Sequence, residues 1–309
     1  MSNPIIETHN LTKIFEKGLI RKSSIVAVKN VSLTIEEGET FCLIGPNGAG
    51  KTTLIRMLLD FIKPSAGSAQ LFGQANTIPS LRDAIGYFPE RVKYPPRLTV
   101  NQYLTYWGQF SGLEGTDLLS RVYKLLGFVR LEDNKNTVIK NLSKGMAVRV
   151  GIAQALLGDP KLLIFDEPTD GLDPLGRIEF RDMLKELKSE GKTILINSHL
   201  LSEVEQISTK VGIMDKGELI RIDTMENLIS MQQQVTIYFQ CTSTDAISRL
   251  KEKFVITSSG SDWILTLSNS QTLDDAIKCL ASVGATIQNI DKAQNVLESK
   301  FLSLIKQRA

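Results

Sequence analysis

The feature that most constrains the fold is a glycine-rich loop set between an apolar strand and a helix. Residues 40–45 read TFCLIG, residues 45–52 read GPNGAGKT, and residues 51–62, KTTLIRMLLDFI, have helical spacing. The loop has the spacing G-x4-G-K-[ST], and a preceding strand and a following helix are the context in which such a loop binds phosphate. The sequence therefore predicts an α/β core built around this unit.

Two further apolar runs continue the same pattern. PKLLIFDEP over residues 160–168 and KTILINSH over residues 192–199 are typical of buried parallel strands. A helix is predicted between them, with Asp173 as its N-cap, Pro174 in its first turn and Gly191 just past its end. This alternation of strands and helices predicts a doubly wound α/β sheet.

Three regions depart from this alternation. The segments IIETHNLTKIF and SSIVAVKNVSLTIEEGE near the N-terminus alternate apolar and polar residues, which predicts antiparallel strands with one exposed face. Residues from about 95 to 157 show no buried-strand pattern, and TVNQYLTYWGQF and DLLSRVYKLLGF within them predict an α-helical insertion. A hairpin is predicted through Lys216 and Gly217, and the pattern changes near Met231.

These patterns divide the chain into two predicted domains, residues 1–230 and residues 231–309. The second is expected to run strand, helix, two strands, helix, strand and final helix. That order predicts a small accessory α+β domain of ferredoxin-like type with an added C-terminal helix. Its charges nearly cancel, and no motif in it indicates a catalytic centre.

Charge and hydropathy set several function classes aside. The net charge is only +2, so no overall attraction to nucleic acid is expected. No run of about 18 uncharged apolar residues predicts a membrane-spanning helix, and MSNPIIETHN lacks the pattern of a signal peptide. The cysteines Cys42, Cys241 and Cys279 are not spaced as metal ligands. We therefore expect a soluble, cytosolic protein.

The glycine loop carries a set of predicted phosphate contacts. Backbone N–H groups of residues 48–50 are expected to face phosphate oxygens, aided by the N-terminus of the following helix. Lys51 would reach the β- and γ-phosphates, Thr52 would place its hydroxyl on Mg²⁺, and Thr53 would donate towards the α-phosphate. The predicted nucleotide-binding residues here are Gly45, Pro46, Asn47, Gly48, Ala49, Gly50, Lys51, Thr52 and Thr53.

Polar residues at the ends of the other two apolar strands complete the predicted site. Asp166 would hold Mg²⁺ through water, and Glu167 would polarise the water that attacks the γ-phosphorus. The alternative for these adjacent acids is a solvated helix cap. His199 could contact the γ-phosphate, and the alternative for it is a structural histidine.

The order of the phosphate-binding loop, LSKGM, LLIFDEP, DGLDP and NSH resembles the ATP-binding subunit of ATP-binding cassette (ABC) transporters. The resemblance covers roughly residues 5–226 and implies a P-loop ABC ATPase core that binds ATP and Mg²⁺. In that family the LSKGM position, the signature, binds the γ-phosphate of ATP held by the other subunit of a head-to-tail dimer. The resemblance therefore assigns Ser143 and Gly145, at a predicted helix N-terminus, to a partner's ATP.

The resemblance implies further roles and shows some departures. Phe15 falls where the family stacks an aromatic ring on adenine, although a core phenylalanine is the alternative, and Asp173 falls in the loop that crosses the dimer interface. Glu90 occupies the position of a glutamine that touches Mg²⁺ and signals to the membrane subunit. A carboxylate there can bind Mg²⁺ but adds repulsion near the γ-phosphate. Lys144 and Asp170 stand where glycine and serine are common.

PE at residues 89–90 and SKGM in the signature are together similar to bacterial subunits of the drug, bacteriocin and sodium exporter group. This implies a second copy of the chain, or a paralogous cassette, and an integral membrane permease as partners, with the chain peripheral on the cytoplasmic face of the membrane. It leaves the substrate open. The alternative is a soluble ABC ATPase acting on ribosomes or DNA, but such relatives usually carry two cassettes or long coiled coils. A nucleotide kinase or GTPase would leave LSKGM and His199 unexplained.

Overall fold

The computed structural model describes residues 4–17, 23–170, 172–198, 206–230, 235–241, 243–259, 262–267 and 272–292. The chain divides into two compact units, residues 1–223 and residues 224–309. The domain boundary expected from the sequence, between residues 230 and 231, stays a prediction. Within the described ranges no helix has the length and apolar character needed to cross a membrane.

The strands of the first unit, in chain order, are β1 (Pro4–Lys17), β2 (Ser23–Glu36), β3 (Thr40–Ile44), β4 (Ala66–Leu71), β5 (Gln74–Ala75), β6 (Ile85–Phe88), β7 (Leu162–Asp166), β8 (Thr193–Ser198), β9 (Lys210–Asp215) and β10 (Glu218–Thr224). Among its described residues the α-helices are α1 (Lys51–Leu58), α2 (Val100–Phe110), α3 (Gly115–Phe128), α4 (Lys144–Leu156) and α5 (Pro174–Ser189), and two 3-10 helices span Pro79–Ala84 and Ile139–Asn141.

The core of the first unit is a sheet of six described strands in the order β10-β9-β3-β8-β7-β6. Strands β6, β7, β8, β3 and β9 pair in parallel, and every residue of β3, β7 and β8 is buried. Burial on both faces explains why these strands are continuous apolar runs in the sequence. The predicted parallel α/β core is confirmed, and the carboxyl ends of β3, β7 and β8 meet at one edge.

A second, antiparallel sheet with the order β2-β1-β4-β5 covers the N-terminal region. Strands β1 and β2 pair in antiparallel register, with Ile6 opposite Ile35 and Glu7 opposite Thr34. Ile6 and Ile35 are buried, whereas the next residue along each strand is less so. The predicted antiparallel strands with one exposed face are therefore confirmed.

Helices α2, α3 and α4 form the insertion predicted between the strands of the parallel sheet. Helix α2 begins with a capping box, in which the Thr99 side chain accepts from the Gln102 N–H and the Gln102 side chain accepts from the Thr99 N–H. Helix α5 starts as predicted: Asp173 is its N-cap, Pro174 occupies the first turn, and Gly191 follows its end with a φ of 80°.

Two details of the first unit differ from the sequence prediction. Helix α1 ends at Leu58 rather than near residue 62, because Asp60 adopts a left-handed φ of 59° and the N–H of Phe61 turns back to the carbonyl of Arg56. The sequence patterns do not predict strands β4, β5 and β6. The sequence of β4, AGSAQL, has few apolar residues, so its strand character comes from pairing with β1.

The second unit contains the helices α6 (Met225–Ser230), α7 (Thr244–Lys251) and α8 (Leu273–Ser282) and the strands β11 (Val235–Gln240), β12 (Val255–Ser259), β13 (Asp262–Thr266) and β14 (Thr286–Lys292). The strands form a sheet in the order β12-β13-β11-β14, with antiparallel pairs. A separate core includes Ile237, Phe239, Leu265 and Leu280. The ferredoxin-like assignment stays a prediction, and the expected final helix lies outside the described residues.

Candidate nucleotide-binding site

The glycine loop follows β3 and leads directly into α1. Gly50 is the N-cap of α1, has a φ of 100°, and makes no side-chain cap. A Cβ atom at Gly50 would lie 2.2 Å from the carbonyl oxygen of Ala27. Only glycine tolerates both the left-handed backbone and that close approach. The first-turn N–H groups of α1 therefore face outward with no capping side chain, as an anion-binding helix N-terminus requires.

A cleft of about 560 Å³ opens in front of this loop. Residues 47–53 line it together with Ile25, Val26, Glu90, Glu167 and Asp170. The structure thus brings the loop together with two of the predicted site residues that are distant in sequence. A cleft of this size at the carboxyl edge of a parallel sheet is a common ligand position in α/β proteins.

Lys51 is buried at the base of the cleft. Its Nζ donates to the carbonyl oxygens of Gly45 at 2.7 Å and Pro46 at 3.2 Å, and lies 3.9 Å from the Oε1 atom of Glu167. Burial lowers the pKa of Lys51, while the nearby carboxylates of Glu167 and Asp166 act in the opposite direction. This ammonium group is close enough to the cleft to meet an anionic ligand.

One backbone amide of the loop differs from the prediction. The N–H of Ala49 donates to the carbonyl of Pro46 at 3.1 Å, which closes a tight turn within the loop. Of the three amides at residues 48–50 that were expected to face phosphate, this one is therefore engaged internally. The other two belong to Gly48 and Gly50, both of which have left-handed φ angles.

Asp166 lies at the end of β7 and is only 1% exposed. Its Oδ1 accepts hydrogen bonds from the Thr52 hydroxyl, at 3.0 Å, and from the Asn197 amide. Burial raises the pKa of Asp166, and these two hydrogen bonds oppose the rise. Its Oδ2 is buried and has no hydrogen-bond partner among the described residues. An unsatisfied carboxylate oxygen beside a hydroxyl suits a hard cation such as Mg²⁺.

The role of Asn197 was missed in the sequence. Asn197 lies on β8 directly opposite Asp166 on β7, and its amide also approaches the Thr52 hydroxyl at 3.4 Å. Strand order alone brings these side chains together. The available signal was the polar pair NS at the end of an apolar run, which was interpreted only through the following histidine.

Glu167 follows Asp166 with an unusual backbone. Its φ is 52°, a left-handed value that is costly for a non-glycine residue, and its N–H donates to the carbonyl of Asn197 at 3.0 Å. Helix α5 is capped by Asp173 and not by either adjacent acid. The solvated-cap alternative is therefore not what the structure contains, and the Glu167 side chain lines the cleft instead.

Glu90 lies on the loop after β6 and faces the same cleft as Glu167. Its side chain is 41% exposed, and the Nε atom of Arg91 is 3.7 Å from its Oε1. Glu90, Glu167 and Asp170 place three carboxylates around one cleft. That arrangement supports the expectation of added negative charge near a bound phosphate chain.

Phe15 lies beside the cleft but is not among its lining residues. It pairs across the strands with Ile25, which does line the cleft, and paired residues share a face of the sheet. Phe15 is 37% exposed, and the Nζ atom of Lys13 lies 5.2 Å from its ring centroid. The core-phenylalanine alternative is therefore not supported.

Ser143, Gly145 and Asp173 are not among the residues that line this cleft. Ser143 is the N-cap of α4, and its hydroxyl oxygen accepts from the Met146 N–H at 3.2 Å. Asp173 uses its Oδ1 to accept from the Gly176 N–H at 2.8 Å. Each of these helix N-termini is thus capped within its own chain. His199 lies outside the described residues, and its role stays a prediction.

Comparisons with known proteins agree with this geometry. The sequence profile of the ABC transporter family matches residues 28–170. An ABC transporter ATP-binding protein of Nostoc sp., described as uncharacterised, is 35% identical over 98% of this chain and 90% of its own length. A Nod factor export ATP-binding protein I of Cupriavidus metallidurans is 38% identical over 72% of this chain and 75% of its own length.

The fold is also similar to solved structures. The ATP-binding cassette MJ0796, in a dimeric post-hydrolysis state bound to ADP and Pi, matches with a TM-score of 0.65 and 27% identity. The match covers 71% of this chain and 98% of that one. A cbiO1 structure from Clostridium perfringens, part of the ABC transporter complex cbiONQ, matches with a TM-score of 0.64 and 28% identity over 74% of this chain and 91% of that one.

Proposed function

The chain belongs to the family of ABC transporter ATP-binding proteins, and from this premise we propose that it powers transport through a separate membrane permease. As a member of that family it is an ATPase with a P-loop cassette fold. The observation that carries the proposal is that Lys51, Thr52 and Glu167 line the same cleft, beside buried Asp166. This combination fits binding and hydrolysis of a nucleoside triphosphate.

The proposed roles follow from position. The first-turn N–H groups of α1 and the Lys51 ammonium bind the phosphate chain. The Thr52 hydroxyl and the Asp166 carboxylate hold Mg²⁺, which neutralises phosphate charge when bound. Glu167, whose left-handed backbone directs its side chain into the cleft, accepts a proton from the attacking water. Phe15, beside the cleft, stacks on the adenine ring, and His199 contacts the γ-phosphate.

A second copy of the chain supplies the other half of each site. Ser143 and Gly145 lie at the N-terminus of α4, outside the cleft of their own chain. A hydroxyl that accepts one hydrogen bond still has its own proton to donate, so Ser143 can bind a partner's γ-phosphate without losing its cap. The cassette MJ0796 was solved as a dimer, which supports a dimer of this chain; the head-to-tail arrangement is part of the proposal. In that dimer Asp173 lies at the interface.

An exposed group of aromatic side chains on α2 supports a docked membrane partner. Tyr106, Trp107 and Phe110 contact one another, and Phe110 is 69% exposed. Trp107 and Phe110 line a groove of about 330 Å³ together with Tyr87 on β6, the strand that leads to Glu90. Contiguous exposed apolar surface marks interaction sites. We infer that the permease docks here, which places the chain on the cytoplasmic face of the membrane. We also infer that transport is outward, since the name of the similar Nod factor protein describes export for that protein.

The ATPase half of the proposal is tested with Glu167→Gln. The variant should bind Mg-ATP normally and lose about 10²- to 10⁴-fold in turnover, the usual contribution of a general base. With ATP it should accumulate as a dimer on a sizing column, and the same variant without ATP is the control. Unchanged hydrolysis would remove Glu167 from the base role.

The permease half is tested by copurification of this chain with each integral membrane protein whose gene neighbours the gene for this chain. Trp107→Ala together with Phe110→Ala should leave the ATPase activity of the isolated chain intact but abolish copurification. Tyr123→Ala is the matched control, since Tyr123 is 67% exposed on α3 and does not line the groove. Capture that survives the double substitution, or that Tyr123→Ala also abolishes, would contradict docking at this groove.

A further inference from the structure

The loop between β6 and α2 joins the parallel sheet to the helical insertion. It carries Glu90, which lines the nucleotide cleft, and four residues later Tyr94. Both residues also line a second pocket of about 350 Å³, together with Lys144 and Ala147 of α4. The loop therefore touches the nucleotide cleft at one point and the signature helix at another.

Tyr94 makes a direct hydrogen bond to the first part of α4. Its hydroxyl donates to the carbonyl oxygen of Ala147 at 2.6 Å, four residues after the N-cap Ser143. A tyrosine hydroxyl carries its proton at neutral pH, and burial raises the pKa of Tyr94 further. The bond is a fixed donor contact between the loop and the helix.

Packing holds α4 close against the same loop. A Cβ atom at Gly151 would lie 2.5 Å from the ring of Phe88 and 2.6 Å from the hydroxyl of Tyr94. Glycine at this position therefore allows the helix to approach within hydrogen-bond distance of Tyr94. The contact with α4 therefore depends both on the Tyr94 hydroxyl and on the space that Gly151 leaves for it.

Tyr103 provides an internal comparison. It lies on α2, its ring is 5.4 Å from that of Tyr94, and its hydroxyl donates to the Oε1 atom of Gln154. Gln154 is near the C-terminal end of α4, far along the helix from Ser143. Both tyrosine hydroxyls thus donate to an amide oxygen of the same helix. Tyr94 donates to a backbone carbonyl near the signature, and Tyr103 donates to a side chain near the other end.

We propose that Tyr94 is a positioning residue whose hydroxyl holds the Ser143 end of α4 in place relative to the Glu90 loop, so that the signature is presented correctly to a partner's ATP. This inference rests on the proposed function, in which Ser143 serves a second copy of the chain. Tyr94 acts through α4 and has no part in binding the nucleotide of its own cleft.

The test measures ATP-driven dimerisation by sedimentation, with Glu167→Gln as the parent. Adding Tyr94→Phe keeps the ring and removes one hydrogen bond, and should weaken the dimer by about two- to tenfold, the range expected for one such bond. Adding Tyr103→Phe to the same parent should leave the dimer unchanged. Own-cleft binding of a fluorescent ATP analogue, measured in a Ser143→Arg chain that cannot serve a partner, should change by less than about twofold on adding Tyr94→Phe.

Three results would overturn the proposal. The first is a dimer as strong with Tyr94→Phe as without it. The second is an equal weakening by Tyr103→Phe, which would mean that α4 is loosened in general. The third is an affinity of the chain's own cleft for the ATP analogue that falls as much as the affinity of the dimer. A parent that forms no ATP-driven dimer is a distinct outcome. It would reject the proposed head-to-tail dimer itself, and the role of Tyr94 with it.

Discussion

Two helix N-termini in this molecule resemble each other in sequence and differ in construction. Helix α1 follows GPNGAGK, and its N-cap Gly50 offers no side chain to the first turn. Helix α4 follows LSKG, and its N-cap Ser143 accepts a hydrogen bond from Met146. The first lies in the cleft that Glu90, Glu167 and Asp170 also line, whereas Ser143 is not among the residues that line it.

The difference indicates which of the two N-termini binds a ligand in the cleft of its own chain. Around α1, backbone conformation is forced: Gly50 has a left-handed φ and lies against the carbonyl of Ala27. Around α4, Gly145 has no such constraint, since a Cβ there would meet only Leu172 at an ordinary 3.7 Å. An N-terminus that is already capped and open to solvent suits a ligand that arrives with another molecule.

The largest expected effect is a difference in nucleotide affinity between alanine substitutions at Gly50 and at Gly145. Gly50→Ala forces a side chain into a left-handed conformation and against a backbone oxygen, which costs at least about 1–2 kcal/mol and disturbs the loop. Nucleotide affinity should fall about tenfold or more. Gly145→Ala should leave folding and own-cleft affinity unchanged, and weaken only ATP-driven dimerisation. Calorimetric titration with ATP measures the nucleotide affinity of both variants, and sedimentation measures their ATP-driven dimerisation.

Equal loss of own-cleft affinity in both glycine variants would show that the two N-termini are not distinct. Thermal unfolding of the two proteins is the control for a general loss of structure. A Gly50→Ala chain with normal ATP affinity would show that the loop conformation is not required.

A smaller effect is expected from the charge around the cleft. Glu90→Gln removes one of three carboxylates while keeping an oxygen at the same place, so ATP hydrolysis should be kept or should rise a few-fold. Like charges 4 Å apart repel by about 1–4 kcal/mol depending on the effective dielectric, and partial exposure of Glu90 favours the low end. Turnover is measured at steady state. Asp170→Asn, which removes another carboxylate of the same cleft, should change turnover in the same direction.

A loss of Mg-ATP binding in Glu90→Gln would mean that the carboxylate itself is required. Repulsion would then be the wrong account of this position. Glu90→Gln should not alter the role of the α4 N-terminus. ATP-driven dimerisation of the Glu167→Gln parent should therefore depend on Ser143 to the same extent with Glu90→Gln as without it.

The parts of the site that depend on local sequence could be predicted. The loop, its strand and its helix form one short segment, and the acids Asp166 and Glu167 directly follow an apolar strand. Burial of both faces of β3 and β7 leaves a clear apolar signal, so the α/β core was also predictable.

The parts that depend on strand order or on backbone detail could not be predicted. Asn197 meets Asp166 only because β7 and β8 are neighbours, a fact that the order of elements along the chain does not give. The end of α1 depends on the left-handed Asp60, and aspartate does not adopt that conformation often enough to be a signal. The hydrogen bond of Ala49 within the loop likewise follows from the turn that the folded loop makes.

Complementation between two inactive variants tests directly whether the N-terminus of α4 serves another molecule. Ser143→Arg keeps its own loop, so it should bind ATP but fail to close the dimer and to hydrolyse. Lys51→Ala should fail by losing its own nucleotide. Each protein alone is the control for the other.

A mixed dimer of these variants contains one site in which both lesions meet and one in which intact Lys51 faces intact Ser143. Single-turnover hydrolysis by the mixture, absent from either protein alone, is the result expected when the signature acts on a partner's ATP. Full hydrolytic activity of the Ser143→Arg protein on its own would contradict it, because the signature would then have no part in catalysis.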